Sequence, residues 1–149
     1  MPTPVPSAHV VETPVEVRSY ELDSFGHVNH AVFLNYLEYA RFDALRVGGF
    51  PHEELMRRGW GVYVVRIEVD YLREAHPGQR LLVRTWAERY KRSSAVLAQE
   101  IVREDDPQTA VVRARVTAVW VGPNGKPMRV PEEVHLALPG PFATTSGDP

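Results

Sequence analysis

Residues 20–41, YELDSFGHVNHAVFLNYLEYAR, hold the densest group of side chains capable of chemistry. Glu21, Asp23, His27, Asn29 and His30 crowd together, and an apolar pattern of helical spacing begins directly after them. A helix N-terminus offers N–H groups without intrahelical partners and a positive partial charge. That suits an oxyanion developing on a carbonyl group. A carboxylate beside it can attack the carbonyl or take a proton from water. Asp23 is therefore a candidate base or nucleophile, and N–H groups near His30 are candidate oxyanion donors. Plainer roles stand beside these. An Asp ahead of a helix is commonly a turn former or an N-cap. His27 and His30 have metal-compatible i,i+3 spacing, with Asp23 as a third ligand. Local spacing supplies no fourth ligand and no metal motif, so no metal is expected.

The second candidate is Tyr90-Lys91-Arg92-Ser93-Ser94, whose cations and hydroxyls suit phosphate groups. An ordinary solvated hairpin is the alternative. Glu38 and Arg41 stand three apart on the expected helix and can pair; Glu38 is also a possible second active-site carboxylate. Arg113 and Arg115 read as a solvent or interface face of a strand. There is no G-x-S-x-G elbow and no phosphate-binding glycine loop. The aromatic residues do not form an RNA-binding signature.

The elements that must position these groups follow from periodicity. Residues 10–20 alternate as a strand, with Val15 and Val17 against Glu16 and Arg18. Asp23-Ser24-Phe25-Gly26 is turn chemistry. Phe33, Leu37, Ala40 and Ala44 mark the apolar stripe of a long helix ending at Gly48-Gly49. Pro51 opens a short helix over 51–58, as a first-turn proline does. Tyr63, Val65, Ile67, Val69 and Tyr71 then alternate with Val64, Arg66, Glu68 and Asp70. Strands follow over 80–90, 94–104 and 109–121, with turns at Pro77-Gly78, Lys91-Arg92-Ser93 and Asp105-Asp106-Pro107. A last helical turn covers 131–137. Short loops favour antiparallel neighbours, and one long helix must cover a sheet of about five strands. The class is α+β. A single helix covers one face only, which leaves the other face or an edge strand for oligomerisation.

The 149 residues, 44% hydrophobic and 24% charged, suit one soluble domain. A net charge of -2 gives no electrostatic case for nucleic acid or a membrane surface. The absence of cysteine excludes disulfides, thiol nucleophiles and iron–sulfur clusters. No apolar run approaches the roughly 20 residues of a membrane helix, and no secretory signal opens the chain. A cytoplasmic setting is expected, with flexible tails at residues 1–9 and 139–149.

The segment D-S-F-G-H-V-N-H-A-V-F-L-N-Y-L-E-Y-A-R, from Asp23 to Arg41, resembles the 4-hydroxybenzoyl-CoA thioesterase family of hotdog proteins. That family carries D-x-x-G-[HIV]-V, an aromatic-rich helix start and a Y-x-E-x-A-R-like helix. The H-V-N-H version resembles its acyl-CoA and acyl-carrier-protein thioesterase branches. The resemblance implies a single hotdog domain over residues 10–138, with a five-stranded antiparallel sheet wrapped around the central helix. It also implies edge-to-edge homodimers that assemble into homotetramers, with active sites between protomers. Asp23 stands at the family's catalytic aspartate, and His30 where a backbone N–H polarises the thioester carbonyl. Gly26, His27 and Asn29 shape the same loop. Lys91, Arg92 and Ser93 fall near the connection where relatives hold the CoA phosphates. His27, in place of an aliphatic residue, and His30, in place of a second Asn, bear on substrate choice. The implied activity is hydrolysis of an acyl-CoA or acyl-carrier-protein thioester, with no cofactor. A hydratase or dehydratase on acyl thioesters and a non-catalytic acyl-CoA binding protein are the rival expectations, since the fold hosts several functions.

Overall fold

Period-two alternation is realised as five strands: β1 (Val11–Glu16), β2 (Gly61–Tyr71), β3 (Arg80–Tyr90), β4 (Ser94–Arg103) and β5 (Asp106–Val121). The helical periods become α1 (His30–Val47), α2 (His52–Arg58) and α3 (Glu132–Ala137). This computed structural model describes residues 9–140. The tails expected at 1–9 and 139–149 fall outside it, apart from residues 9, 139 and 140. All strands are antiparallel, in the order β1-β3-β4-β5-β2. The α+β class and the five-stranded sheet are thus as expected.

α1 lies on one face of the sheet and buries Phe33, Tyr36, Leu37, Ala40, Ala44 and Leu45. Its N-terminal half meets Leu81, Val83, Ile101 and Val112. Its C-terminal half packs with Phe50, Trp120, Val130 and Val134. One polar side chain sits between helix and sheet. Gln99, 2% exposed, donates through Nε2 to the Leu37 carbonyl and to Thr85 Oγ1, each at 3.0 Å, and accepts from Arg41 Nη1 at 3.0 Å. Buried amides need such partners, and this one ties α1 to β3 and β4.

The other face carries charge. Glu100 accepts from Arg113 at 3.0 Å and lies 3.6 Å from Arg84, which also reaches Glu12 at 3.1 Å. Arg115 pairs with Glu88 at 2.8 Å. Arg113 and Arg115 are therefore a polar outer face, laced by ion pairs.

Several boundaries differ from the expectation. β1 stops at Glu16 because its partner β3 begins at Arg80, opposite Glu16; Ser19–Glu21 is a 3-10 turn instead. β5 begins at Asp106, paired with Arg103, so the turn shrinks to Glu104 and Asp105. Pro51 occupies the N-cap position of α2, one residue before the first turn. In β2 the expected alternation breaks at Val65. Val64 faces Ala118 while Arg66 faces Thr117, so Val65 is an inserted bulge residue. Val62 and Val64 consequently share the helix side of the sheet with Ile67, Val69 and Tyr71, and Tyr63 does not.

β2 is an edge strand of 11 residues. Tyr63, Val64, Val65, Ile67 and Tyr71 are all exposed on it. An edge of this length and apolarity is a template for another strand. Among the described residues, no helix is long and apolar enough to cross a membrane.

Candidate active site

The chain enters α1 through a small hairpin. Leu22 bridges Val28, the Asp23 N–H donates to the His27 carbonyl at 2.7 Å, and the Asn29 N–H donates to the Glu21 carbonyl at 2.9 Å. The turn between them needs a left-handed residue, and Gly26 supplies it at φ +85°. Asp23 is a turn former and not the helix cap. The cap is Asn29, whose side-chain oxygen accepts from the Ala31 N–H at 2.9 Å. Among the described residues, the His30 N–H meets no acceptor. It is the first N–H of an 18-residue helix, where the helix dipole favours negative charge. Asn29→Ala removes that cap and should cost about 1 kcal/mol of stability. A drop of a few degrees in the thermal midpoint is expected, and an unchanged midpoint would contradict the capping role.

Asp23 is half-buried. Its Oδ1 accepts from the Phe25 N–H at 2.9 Å and the His27 N–H at 3.2 Å. Oδ2 receives no hydrogen bond among the described residues. The backbone bond from His27 is the main influence holding the carboxyl below its usual 3.8; partial burial opposes it, and the Phe25 N–H and the His27 ring add to the lowering. Asp23 is therefore ionised at neutral pH, with one oxygen anchored and the other available.

The two histidines part company. His27 Nε2 lies 3.2 Å from Glu74, and its ring meets His76 edge-on at 5.2 Å. The His30 ring packs instead against Tyr71 at 6.0 Å, and the Tyr71 hydroxyl donates to the His30 carbonyl at 3.0 Å. Among the described residues no three His, Asp or Glu side chains converge as metal ligands would.

Sequence reasoning missed Tyr71, Glu74 and His76. They arrive from the far end of β2 and the loop after it, joined to the hairpin by the Val28 N–H bond to the Ala75 carbonyl at 2.9 Å. Only the fold brings these stretches together. Tyr36 is buried on α1, its hydroxyl donates to Glu21 at 2.7 Å, and burial is the main cause raising its pKa.

The remaining candidates are not brought to Asp23 within one chain. Lys91, Arg92 and Ser93 form the β3–β4 turn, bonded to Trp120 and Val130. That is the opposite end of β3, an 11-residue strand of roughly 35 Å. Glu38 is exposed, about 12 Å along the helix axis from His30. Arg41 hydrogen-bonds to Gln99, and Glu38 acts on it only through its charge.

The fold that carries this hairpin and helix recurs in known proteins. A family model described as the thioesterase-like superfamily matches residues 17–138. The chain is 31% identical over 111 residues to the long-chain acyl-CoA thioesterase FadM of Escherichia coli, covering 74% of this chain and 83% of that protein. It is also 31% identical to the chloroplastic acyl-acyl carrier protein thioesterase ATL2 of Arabidopsis thaliana, covering 83% of this chain. It spans 65% of that plant protein's length. A solved structure of a hypothetical protein from Aquifex aeolicus superposes with a TM-score of 0.79 at 27% identity, covering 86% of this chain and 98% of that one. The chain belongs to the thioesterase-like superfamily and has its hotdog fold.

Proposed function

We propose that the chain is an acyl-CoA thioesterase, hydrolysing an acyl thioester to free acid and CoA with Asp23 as its catalytic carboxylate. Superfamily membership supports hydrolysis of a thioester, and the D-x-x-G-H-V motif supports the 4-hydroxybenzoyl-CoA thioesterase-like branch. The observation that carries the reading is the anchored, ionised Asp23 in the hairpin that leads into α1, whose first N–H is free. The thioester oxygen accepts from the His30 N–H, which stabilises the developing oxyanion. Asp23 takes a proton from water as that water attacks the carbonyl carbon. The tetrahedral intermediate collapses by breaking the C–S bond, and the thiolate leaves. Direct attack by Asp23, with later hydrolysis of the anhydride, uses the same geometry. Gly26, His27 and Asn29 shape the hairpin; no metal or cofactor has a part in the scheme, and the setting is cytoplasmic.

The reading also takes the unit of function to be a dimer of the single domain over residues 10–138, built on β2 edges, with tetramers as the higher assembly. Antiparallel pairing of two β2 strands sets the Gly61 end of one beside the Tyr71 end of the other. The partner's Lys91, Arg92 and Ser93 then stand at the same end of the joined sheet as Asp23. That gives these residues a route to the CoA phosphates which a single chain does not offer.

Thiol release over a panel of acyl-CoA and acyl-carrier-protein thioesters tests the reading. A binding protein would hold acyl-CoA without releasing thiol, and a hydratase would alter the acyl group with the thioester intact. The pH profile is a second check. Asp23 acts as the carboxylate and its pKa is depressed, so activity is lost only as pH falls through a value below 3.8. A limb centred near the imidazole value of about 6.5 would instead make a histidine the base.

A further inference from the structure

Leu34, Glu38, Arg41 and Leu45 recur at spacings of four, three and four, which sets them in one stripe along α1. Opposite them run the residues of β2 on the helix side of the sheet. Two observations mark the ends of this stripe. At one end the Tyr71 hydroxyl holds the His30 carbonyl at 3.0 Å. At the other, Arg41 and Leu45 face Val62 and Val64 across a cavity of about 290 Å³. Its floor is made by β4 and β5, where Ala95 and Ala118 are direct cross-strand partners. Both are buried, and two adjacent alanines leave the space that larger residues would fill. Its charged groups both come from α1: Glu38 is exposed, and Arg41 is tied to Gln99.

The cavity spans the stretch of α1 from Glu38 to Leu45, eight to fifteen residues beyond His30. At the helical rise that is about 12 to 22 Å from the N-terminus along the axis. From a carbonyl held at the His30 N–H, that distance along α1 is one that only a long, narrow acyl group spans. An acetyl group or a single aromatic ring ends well short of it.

We propose that this stripe and the cavity at its end bind a long-chain, unbranched acyl group, which makes long-chain fatty acyl thioesters the substrate class. The inference rests on the thioesterase reading for the position of the carbonyl. Each methylene entering the cavity should raise kcat/KM by about fourfold, until the cavity is full.

The test compares acetyl-, hexanoyl-, decanoyl- and palmitoyl-CoA in a thiol-release assay. The parent should favour the long chains. Ala118→Leu fills the floor and should cut kcat/KM for the favoured long chain at least about tenfold, leaving acetyl-CoA within about twofold. Leu97→Phe, at a half-buried lining position, repeats the test should Ala118→Leu fail to fold. Equal losses on every chain length, or no change in preference, overturn the proposal. A second arm keeps the two readings apart: binding of the non-hydrolysable thioethers ethyl-CoA and hexadecyl-CoA, read by thermal shift. No thiol release, with hexadecyl-CoA still preferred and Ala118→Leu abolishing that preference, would sink the thioesterase reading and leave the cavity assignment standing. Turnover without chain-length preference, and no preference for hexadecyl-CoA, would do the reverse.

Discussion

Asp23→Asn is expected to lower thiol release by about three orders of magnitude, within the roughly 10² to 10⁴ range for a positioned acid–base group. That corresponds to about 4 kcal/mol of lost transition-state stabilisation. The substitution isolates chemistry from structure for a reason visible in the hairpin. Oδ1 of Asp23 accepts two backbone N–H bonds, from Phe25 and His27. The amide oxygen of an Asn accepts the same pair, so the turn and the start of α1 should keep their geometry. What disappears is the charge and the free Oδ2, the two properties that water activation or carbonyl attack requires. The loss should fall on kcat, with thioether binding and the thermal midpoint near those of the parent. Near-normal turnover would remove Asp23 from the mechanism. A collapsed midpoint would show that the charge serves the turn.

Val65→Asp is expected to convert the proposed dimer to a monomer, with thiol release falling at least about a hundredfold. Val65 is the bulge residue at the middle of β2 and is 61% exposed in the single chain. Two-fold pairing of this edge brings the middle of the strand against its own copy. Two carboxylates would then meet in a partly desolvated seam, where like charges opposite one another are destabilising. The isolated chain loses no buried contact, so its fold should survive. Activity should fall because, on the proposed function, the partner's Lys91, Arg92 and Ser93 would no longer reach the CoA end of the site. Light scattering reads the mass and the thiol assay reads the site. A dimer that persists with full activity would show that the chain pairs through another surface.

Much of this protein was legible in one dimension. Alternation over Arg80–Tyr90, Ser94–Arg103 and most of β5 gave strands at nearly the expected limits, and β1 in shortened form. The stripe Phe33, Leu37, Ala40 and Ala44 gave the buried helix, and all four are buried. These signals are local: a period of two or 3.6 records which face of an element is dry. The hairpin of Asp23 and Gly26 was legible for the same reason, since turn chemistry depends on the residues that form the turn. Sequence also singled out the stretch before α1 as the candidate site, through its motif.

Other features had no local signature. The bulge at Val65 depends on register against β5, and periodicity alone assigned Val65 to the wrong face. Asn29 took the cap because the Leu22–Val28 bridge carries Asp23 back into the turn. The roles of Tyr71, Glu74 and His76 come from 40 or more residues downstream of the hairpin they touch. The separation of Lys91, Arg92 and Ser93 from Asp23 follows from the length of β3. The exposure of β2 follows from the strand order β1-β3-β4-β5-β2, which hydropathy does not encode because an edge strand and a central strand share one alternation. The residue that carries the proposed chemistry and the elements around it were thus written in the chain. Which strand lies open, what closes the far end of the helix and which groups meet Asp23 were settled by long-range packing, where contact depends on register and strand order and not on neighbours along the sequence.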